Sequence, residues 1–348
     1  MNLSKWFLVL GIASSFCLDA GCGYTGIWDV YGGYRHDAFD WSIAGVREVP
    51  NVKAEIDFKN IHSIVIGTRS IIAGSDTIYM RCEGYWGWIL QQDAVYSLYA
   101  LNDKKGLLAR EEACRGGDKM LGAKAGLGFH TCPCAGPFDL AFILGGSVQQ
   151  LRLSYRDPKL VQHIVVEPEN PLIQQIGIHP QDIQIGVIEP GISVDNLYVK
   201  YRPELVSGFL GMDSVWRYKQ CMTLMLQYEL HFGTYRAKGK WQYEEQRHRV
   251  LPGHEQERFL SCWKDCSNAW GNVFNLTWTY HTSDNWYFGV NAGSQFWRTR
   301  KGEYSVTRVR DRTTLGKKFV ATIPVDTANL NPMHWTTYFI GINFQCQF

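Results

Sequence analysis

The chain has 348 residues and a formal net charge of +2, with 45% hydrophobic and 14% aromatic residues. After the amino terminus it contains no run of about eighteen apolar residues, which excludes a helical membrane span. Thirteen Trp and eighteen Tyr are typical of membrane β-barrels, which place such rings in girdles at both membrane interfaces.

The amino-terminal twenty residues are predicted to be a secretory signal peptide. Lys5 precedes the apolar residues 6–13, and small residues follow. A buried amino-terminal helix is the alternative. Cys22 after Ala20-Gly21 suggests lipoprotein processing, although Asp19 stands where an aliphatic residue is expected.

Ten strands are predicted from period-two alternation of apolar and polar residues. Their connections alternate between short and long, as periplasmic turns and extracellular loops do in outer-membrane barrels. The long connections, residues 91–119 among them, are predicted to be loops. The strands are predicted at 27–44, 52–68, 77–90, 120–130, 138–155, 196–212, 221–235, 268–282, 286–300 and 335–348.

The last strand gives the clearest membrane signal, because its alternate large apolar side chains continue to Phe348 at the carboxyl end of the sequence. A soluble sheet with such an edge would aggregate. In a bilayer every backbone polar group needs a partner, so a sheet must close on itself to span it. The prediction is therefore an all-β, ten-stranded antiparallel transmembrane β-barrel in the outer membrane.

Charged residues are predicted to fill the barrel interior. Ten strands leave little room, and opposite charges in a poorly hydrated space must pair. The prediction is a structural ion-pair plug, with a narrow solute-selective pore as the alternative and Glu229 with His231 as a candidate proton-handling pair. The predicted interior network comprises Asp57, Lys59, Arg81, Glu83, Glu229 and His231.

The last long connection, residues 301–332, is strongly basic. It would suit the phosphates of lipopolysaccharide or an anionic surface polymer; a merely solvated loop is the alternative. The candidate residues are Arg308, Arg310, Arg312, Lys317 and Lys318.

The chain contains ten cysteines. Export to an oxidising compartment favours disulfides, within the chain or to neighbouring envelope proteins, and the candidates are Cys132, Cys134, Cys262 and Cys266. Their spacing matches zinc sites poorly. No metal, cofactor or nucleic-acid partner is expected.

Residues 50–61 (PNVKAEIDFKNI), 233–241 (GTYRAKGKW), 295–302 (QFWRTRKG) and 34–45 (YRHDAFDWSIAG), with the terminal Phe348, resemble an omptin-like outer-membrane family of chlamydia-related bacteria. The resemblance covers nearly the whole chain after the signal peptide. It implies the ten-stranded barrel of the omptin proteases and adhesins.

Omptin proteases activate water between a pair of aspartates and an Asp-His dyad. By this resemblance the first pair maps to Asp93 and Val95, and the dyad to Gln246 and His248. One carboxylate of each pair is missing, although Glu244 or Glu245 stands near His248. A base without its orienting carboxylate generates a nucleophilic water poorly.

The sequence therefore predicts an outer-membrane barrel whose surface loops serve adhesion or envelope structure without protease activity. Expected partners are outer-membrane lipid and lipopolysaccharide, and host surfaces or envelope proteins through disulfides. A narrow porin and an omptin-type aspartyl endopeptidase are the two alternatives.

Overall fold

The computed structural model describes residues 25–46, 49–74, 77–100, 107–131, 137–163, 197–218, 221–247, 255–283, 285–314 and 317–347. The predicted signal peptide lies outside these residues. In the described part no helix is long and apolar enough to cross a membrane. The described strands are β1 (Thr25–Val46), β2 (Val49–Ala73), β3 (Ile78–Ala100), β4 (Leu107–Arg115), β5 (Lys119–His130), β6 (Phe138–Arg156), β7 (Lys159–His163), β8 (Leu197–Tyr218), β9 (Met222–Arg247), β10 (Glu255–His281), β11 (Trp286–Thr299), β12 (Gly302–Thr314), β13 (Lys317–Leu330) and β14 (His334–Gln347).

Ten of these strands close into an antiparallel barrel in the order β1, β2, β3, β5, β6, β8, β9, β10, β11, β14 and back to β1. The closing ladder runs from Ile27 opposite Gln347 to Asp40 opposite His334. Every strand in this circuit has a neighbour on both sides, so the backbone polar groups are satisfied without a free edge. The predicted ten-stranded barrel and its carboxyl-terminal closing strand are confirmed.

Four further strands lengthen the barrel at the end opposite the tight turns. Strand β4 pairs with β3 and with β7, while β12 and β13 pair with each other and with β10 and β1. The prediction that residues 91–119 and 301–332 are loops was therefore wrong for most of their length. Polar composition suggested loops, but a polar outer face is what a sheet needs once it stands in water.

The barrel carries a belt of apolar side chains on its outer face near the turn end. On β14 the four residues Tyr338, Ile340, Ile342 and Phe344 are 52–58% exposed. Trp, Phe, Leu and Ile continue the belt on the other strands, so exposed apolar surface encircles the barrel. We call the part of the barrel inside this belt the membrane segment, and the part beyond it the upper segment.

The inner and outer faces of the barrel exchange polarity between the membrane segment and the upper segment. Inside the membrane segment the buried side chains include many charged and polar groups, whereas inside the upper segment they are mainly aromatic and aliphatic. On the outer face of the upper segment, cations such as Lys238 and Lys264 are exposed to solvent. The upper segment thus has the inside-out polarity of a soluble barrel, since its solvent is water. Its core includes Phe39, Trp41, Ile56, Phe58, Leu197, Val199, Tyr201, Tyr235, Trp263 and Trp335.

A β-bulge in β2 corrects two of the predicted interior residues. Asn60 has a positive φ of 51°, and the register between β2 and β3 shifts between Lys59 and His62. An extra residue reverses which side chains face inward. Phe58 is consequently buried, and Asp57 and Lys59 face outward, so the prediction that both lie in the interior network was wrong.

Candidate functional site

The interior of the membrane segment is crossed by buried ion pairs centred on Arg81. This side chain is 1% exposed and contacts two carboxylates, Asp213 at 2.5 Å and Glu229. Lys124 Nζ lies 3.0 Å from carboxylate oxygens of both Glu229 and Glu83. Strands β3, β5, β8 and β9 each supply charge, so the pairs link walls that face each other across the lumen.

The network continues towards the closing strands. Arg69 contacts Asp29 at 2.5 Å and donates a 3.1 Å hydrogen bond to Gln227 Oε1, whose Nε2 donates to Asp213 Oδ1 at 3.3 Å. One amide thus joins the two sets of ion pairs. Above them, Arg35 and Asp37 form a further buried pair with a bidentate contact at 2.8 and 2.9 Å.

The Glu229 and His231 pair lies at the upper limit of this network. Glu229 Oε2 is 2.9 Å from His231 Nε2, and the other ring nitrogen, Nδ1, is 2.9 Å from Ser207 Oγ. The ring centroids of Phe209 and Trp297 lie 5.0 and 5.1 Å from the imidazole. Both ring nitrogens therefore have polar partners while the ring faces are enclosed by aromatic side chains.

Four of the six residues predicted for the interior, namely Arg81, Glu83, Glu229 and His231, come together in one network. Sequence reasoning missed Asp213, because the strand was predicted to end one residue before it. Beyond the predicted end of the strand, apolar and polar residues no longer alternate in the sequence. The continuation of the strand is seen only in the pairing of β8 with β9.

The upper segment holds a buried carboxyl group among aromatic rings. Asp265 Oδ2 accepts hydrogen bonds from Trp41 Nε1 at 2.8 Å and from the Tyr201 hydroxyl at 2.6 Å. Tyr201 also contacts the Tyr235 hydroxyl. Burial raises the pKa of Asp265 to about 7, and the two donors only partly oppose this shift. Burial likewise raises the pKa of both tyrosines well above the usual range.

The residues that the resemblance assigned to catalysis are not brought together in the described part of the chain. Asp93 lies between the inward-facing Gln92 and Ala94 and thus on the outer face, where Asn60 Nδ2 donates to it at 2.9 Å. Burial raises the pKa of the neighbouring Cys114 thiol, and the hydrogen bond with Asp93 and the charge of Asp93 raise it further. His248 lies outside the described residues.

The basic candidates Arg308, Arg310, Arg312, Lys317 and Lys318 lie on β12 and β13, whose side chains at these positions are outside the described set. Cys262 and Cys266 are free and exposed on β10, and Cys132 and Cys134 fall outside the described residues. No disulfide joins the described cysteines, and no cluster of metal-ligating side chains occurs among the described residues.

Ten antiparallel strands closed around a charged interior, with an apolar belt outside, define an integral outer-membrane β-barrel. The chain belongs to the Protochlamydia outer membrane protein family, whose family model matches residues 29–348. Membership in this family places the protein in the outer membrane. No curated protein sequence matches the chain significantly.

One solved structure supports the fold. The outer membrane protease OmpT from Escherichia coli superposes with a TM-score of 0.58 at 10% identity, covering 94% of this chain and 98% of that chain. OprG from Pseudomonas aeruginosa (TM-score 0.31, 11% identity, covering 92% and 95%) and a FadL homologue from the same organism (0.30, 8%, 92% and 90%) are more distant. At such low identity the likeness to OmpT shows a shared barrel architecture, and function must be argued from the residues.

Proposed function

We propose that this protein is a closed outer-membrane barrel that does not conduct or cleave peptides, and that its upper segment displays a cationic surface for adhesion to anionic glycans. The observation that carries the proposal is a row of cations on the outer face of three adjacent strands. Arg202 on β8 lies opposite Lys238 on β9, which lies opposite Lys264 on β10. In the next row Lys200 lies opposite Lys240.

Like charges directly opposite on neighbouring strands destabilise a sheet, because their Cβ atoms are only about 5 Å apart. Arg202, Lys238 and Lys264 are exposed, and none has an ion-pair partner among the described residues. Such a row gains stability when an anionic polymer lies across it. Anionic glycans, whether lipopolysaccharide core or a host polysaccharide, offer this repeated negative charge.

Closure of the lumen supports the non-conducting part of the proposal. The ion-pair network spans the membrane segment, and the aromatic core fills the upper segment above it. A permeating ion would have to separate buried pairs such as Arg81 with Glu229, which costs several kcal/mol. Planar-bilayer recording of the refolded protein is expected to show no discrete channels. Stable unitary currents would instead support the narrow-porin alternative.

The placement of Asp93 supports the absence of protease activity. A water-activating site needs carboxylate and imidazole groups that converge on one cleft. Asp93 faces outward and is held by Asn60. Peptides with paired basic residues are expected to survive incubation with the protein, and cleavage that Asp93→Ala and His248→Ala abolish would restore the endopeptidase alternative.

The outward cysteines support the proposed envelope contacts. Cys262 and Cys266 flank Lys264 on the outer face of β10, where a neighbouring thiol can reach them. Disulfides to other envelope proteins would then fix the barrel beside its partners without crossing its own lumen. Non-reducing electrophoresis of native envelopes is expected to show higher-mass species that Cys262→Ser and Cys266→Ser remove together.

Binding of dextran sulfate tests the adhesion proposal. The double variant K238E and K264E is expected to bind the polymer at least tenfold more weakly than the unsubstituted protein, about 1.4 kcal/mol. K59E provides a control, since Lys59 lies on the outer face of β2 beside Asp57, 3.3 Å away, and away from the row. Binding must also weaken with salt. Equal losses of binding in K59E and in K238E or K264E alone would contradict a localised cationic site.

A further inference from the structure

Three cavities with polar side chains in their walls lie in series inside the membrane segment. The largest, about 220 Å³, opens among the tight turns and is bordered by His130, His281 and Gln347. The middle and inner cavities are about 60 Å³ each. Thr277 borders both the first and the middle cavity. The middle and inner cavities share four lining side chains, Glu83, Tyr85, Asn275 and Gln295.

The walls of the two smaller cavities require water. Gln149 lines the inner cavity and Asn291 the middle one. Gln149 Nε2 and Asn291 Oδ1 are buried and have no hydrogen-bond partner in the described part of the protein. A buried amide without a hydrogen-bond partner destabilises the fold unless water takes that place. A cavity of this volume holds several water molecules, each able to bond two to four polar groups.

The inner cavity ends at the Glu229 and His231 pair. Beyond it Phe209 and Trp297 cover the imidazole, and the aromatic core of the upper segment follows. The series is therefore open at the turn end, which is periplasmic in barrels of this class, and closed towards the cell surface.

We infer that these cavities form a water-filled half-channel that exchanges protons between the periplasm and His231. The chain of water and polar side chains supplies continuous hydrogen bonds from the mouth to the imidazole. A proton that enters at the mouth is taken up at a ring nitrogen of His231, and leaves by the same route. No solute crosses the barrel, because the upper segment closes the far end.

The charges around His231 give this exchange a consequence. The buried ion pairs contain four cations and five carboxylates, so together they carry one negative charge when the imidazole is neutral. These groups are Arg35, Arg69, Arg81 and Lys124, and Asp29, Asp37, Glu83, Asp213 and Glu229. Protonation of His231 balances it. The charged groups that face or border this position are Glu229 on the same strand, Arg81 and Glu83 on β3, and Lys124 on β5; β6, β8, β10 and β11 present neutral side chains there.

The inference is tested on the full barrel in lipid nanodiscs by solid-state NMR with magnetisation transfer from water. The His231 ring signals, assigned by loss in His231→Asn, are expected to receive magnetisation from water. The indole N–H of Trp41, in the core of the upper segment, is expected to receive at least fivefold less. Equal, low transfer at both sites would overturn the inference.

A matched pair of substitutions tests the route. Thr277 and Thr279 are both buried on the inward face of β10 and both line the wide first cavity, but only Thr277 also lines the narrow middle one. Thr277→Leu is expected to slow water exchange at His231 by about tenfold, and Thr279→Leu to leave it within about twofold. Unchanged exchange in a folded Thr277→Leu barrel, or equal slowing in both variants, would refute the proposed path.

Discussion

Stability of the upper segment is expected to fall as pH rises, because of Asp265. The side chain is 2% exposed, its Oδ2 accepts from Trp41 and Tyr201, and its Oδ1 finds no partner within the described residues. Burial disfavours the charged form, which raises the pKa to about 7 from a usual value of 3.8.

The sign follows from proton linkage. Between about pH 4 and pH 7 the folded protein keeps a proton on Asp265 that the unfolded chain has lost, so stability decreases as pH rises through this window. A difference of about three pKa units corresponds to at most about 4 kcal/mol. Asp265→Asn keeps an acceptor for Trp41 and Tyr201 but cannot ionise, so this part of the pH dependence should disappear.

The assay is urea unfolding of the refolded barrel in detergent micelles from pH 4 to pH 8, followed by tryptophan fluorescence. The unsubstituted protein should lose stability relative to Asp265→Asn as pH rises. Asp57→Asn, on the outer face of β2, should keep the original slope. Parallel curves for Asp265→Asn and the unsubstituted protein would refute the buried-carboxyl reasoning.

Two further predictions use the same unfolding measurement. Arg81→Ala leaves Asp213 and Glu229 buried without their shared cation and should cost about 3–5 kcal/mol, whereas Lys59→Ala, at an exposed pair, should cost less than about 1 kcal/mol. Similar costs would argue against a buried ion-pair network. Gly239→Ala places a Cβ 1.7 Å from the Trp263 ring and should cost about 1–3 kcal/mol, while Gly32→Ala, with its nearest atom at 3.7 Å, should be neutral.

The membrane segment was largely predictable from the sequence. Lipid fixes which face of each strand must be apolar, so simple alternation identified the strands, the closing role of residues 335–348 and the charged interior. Arg81, Glu83, Glu229 and His231 were placed correctly for this reason. Asp213 was missed where alternation faded near the end of its strand.

The upper segment was not predictable in the same way. Once the strands leave the lipid, water lies outside and the same period of two places apolar residues inside, so polar residues no longer indicate the lumen. The extra residue at Asn60 additionally reversed the orientation of Asp57 and Lys59.

Sequence by itself determined the fold class, the number of strands in the closed barrel and the belt, because each depends on the local period and on the solvent that surrounds the barrel. Tertiary structure decided which cations became neighbours, as with Arg202, Lys238 and Lys264, and which carboxyl group was buried, as with Asp265. Register between strands distant in sequence sets these contacts, and it arises only when the ladder closes around the whole barrel.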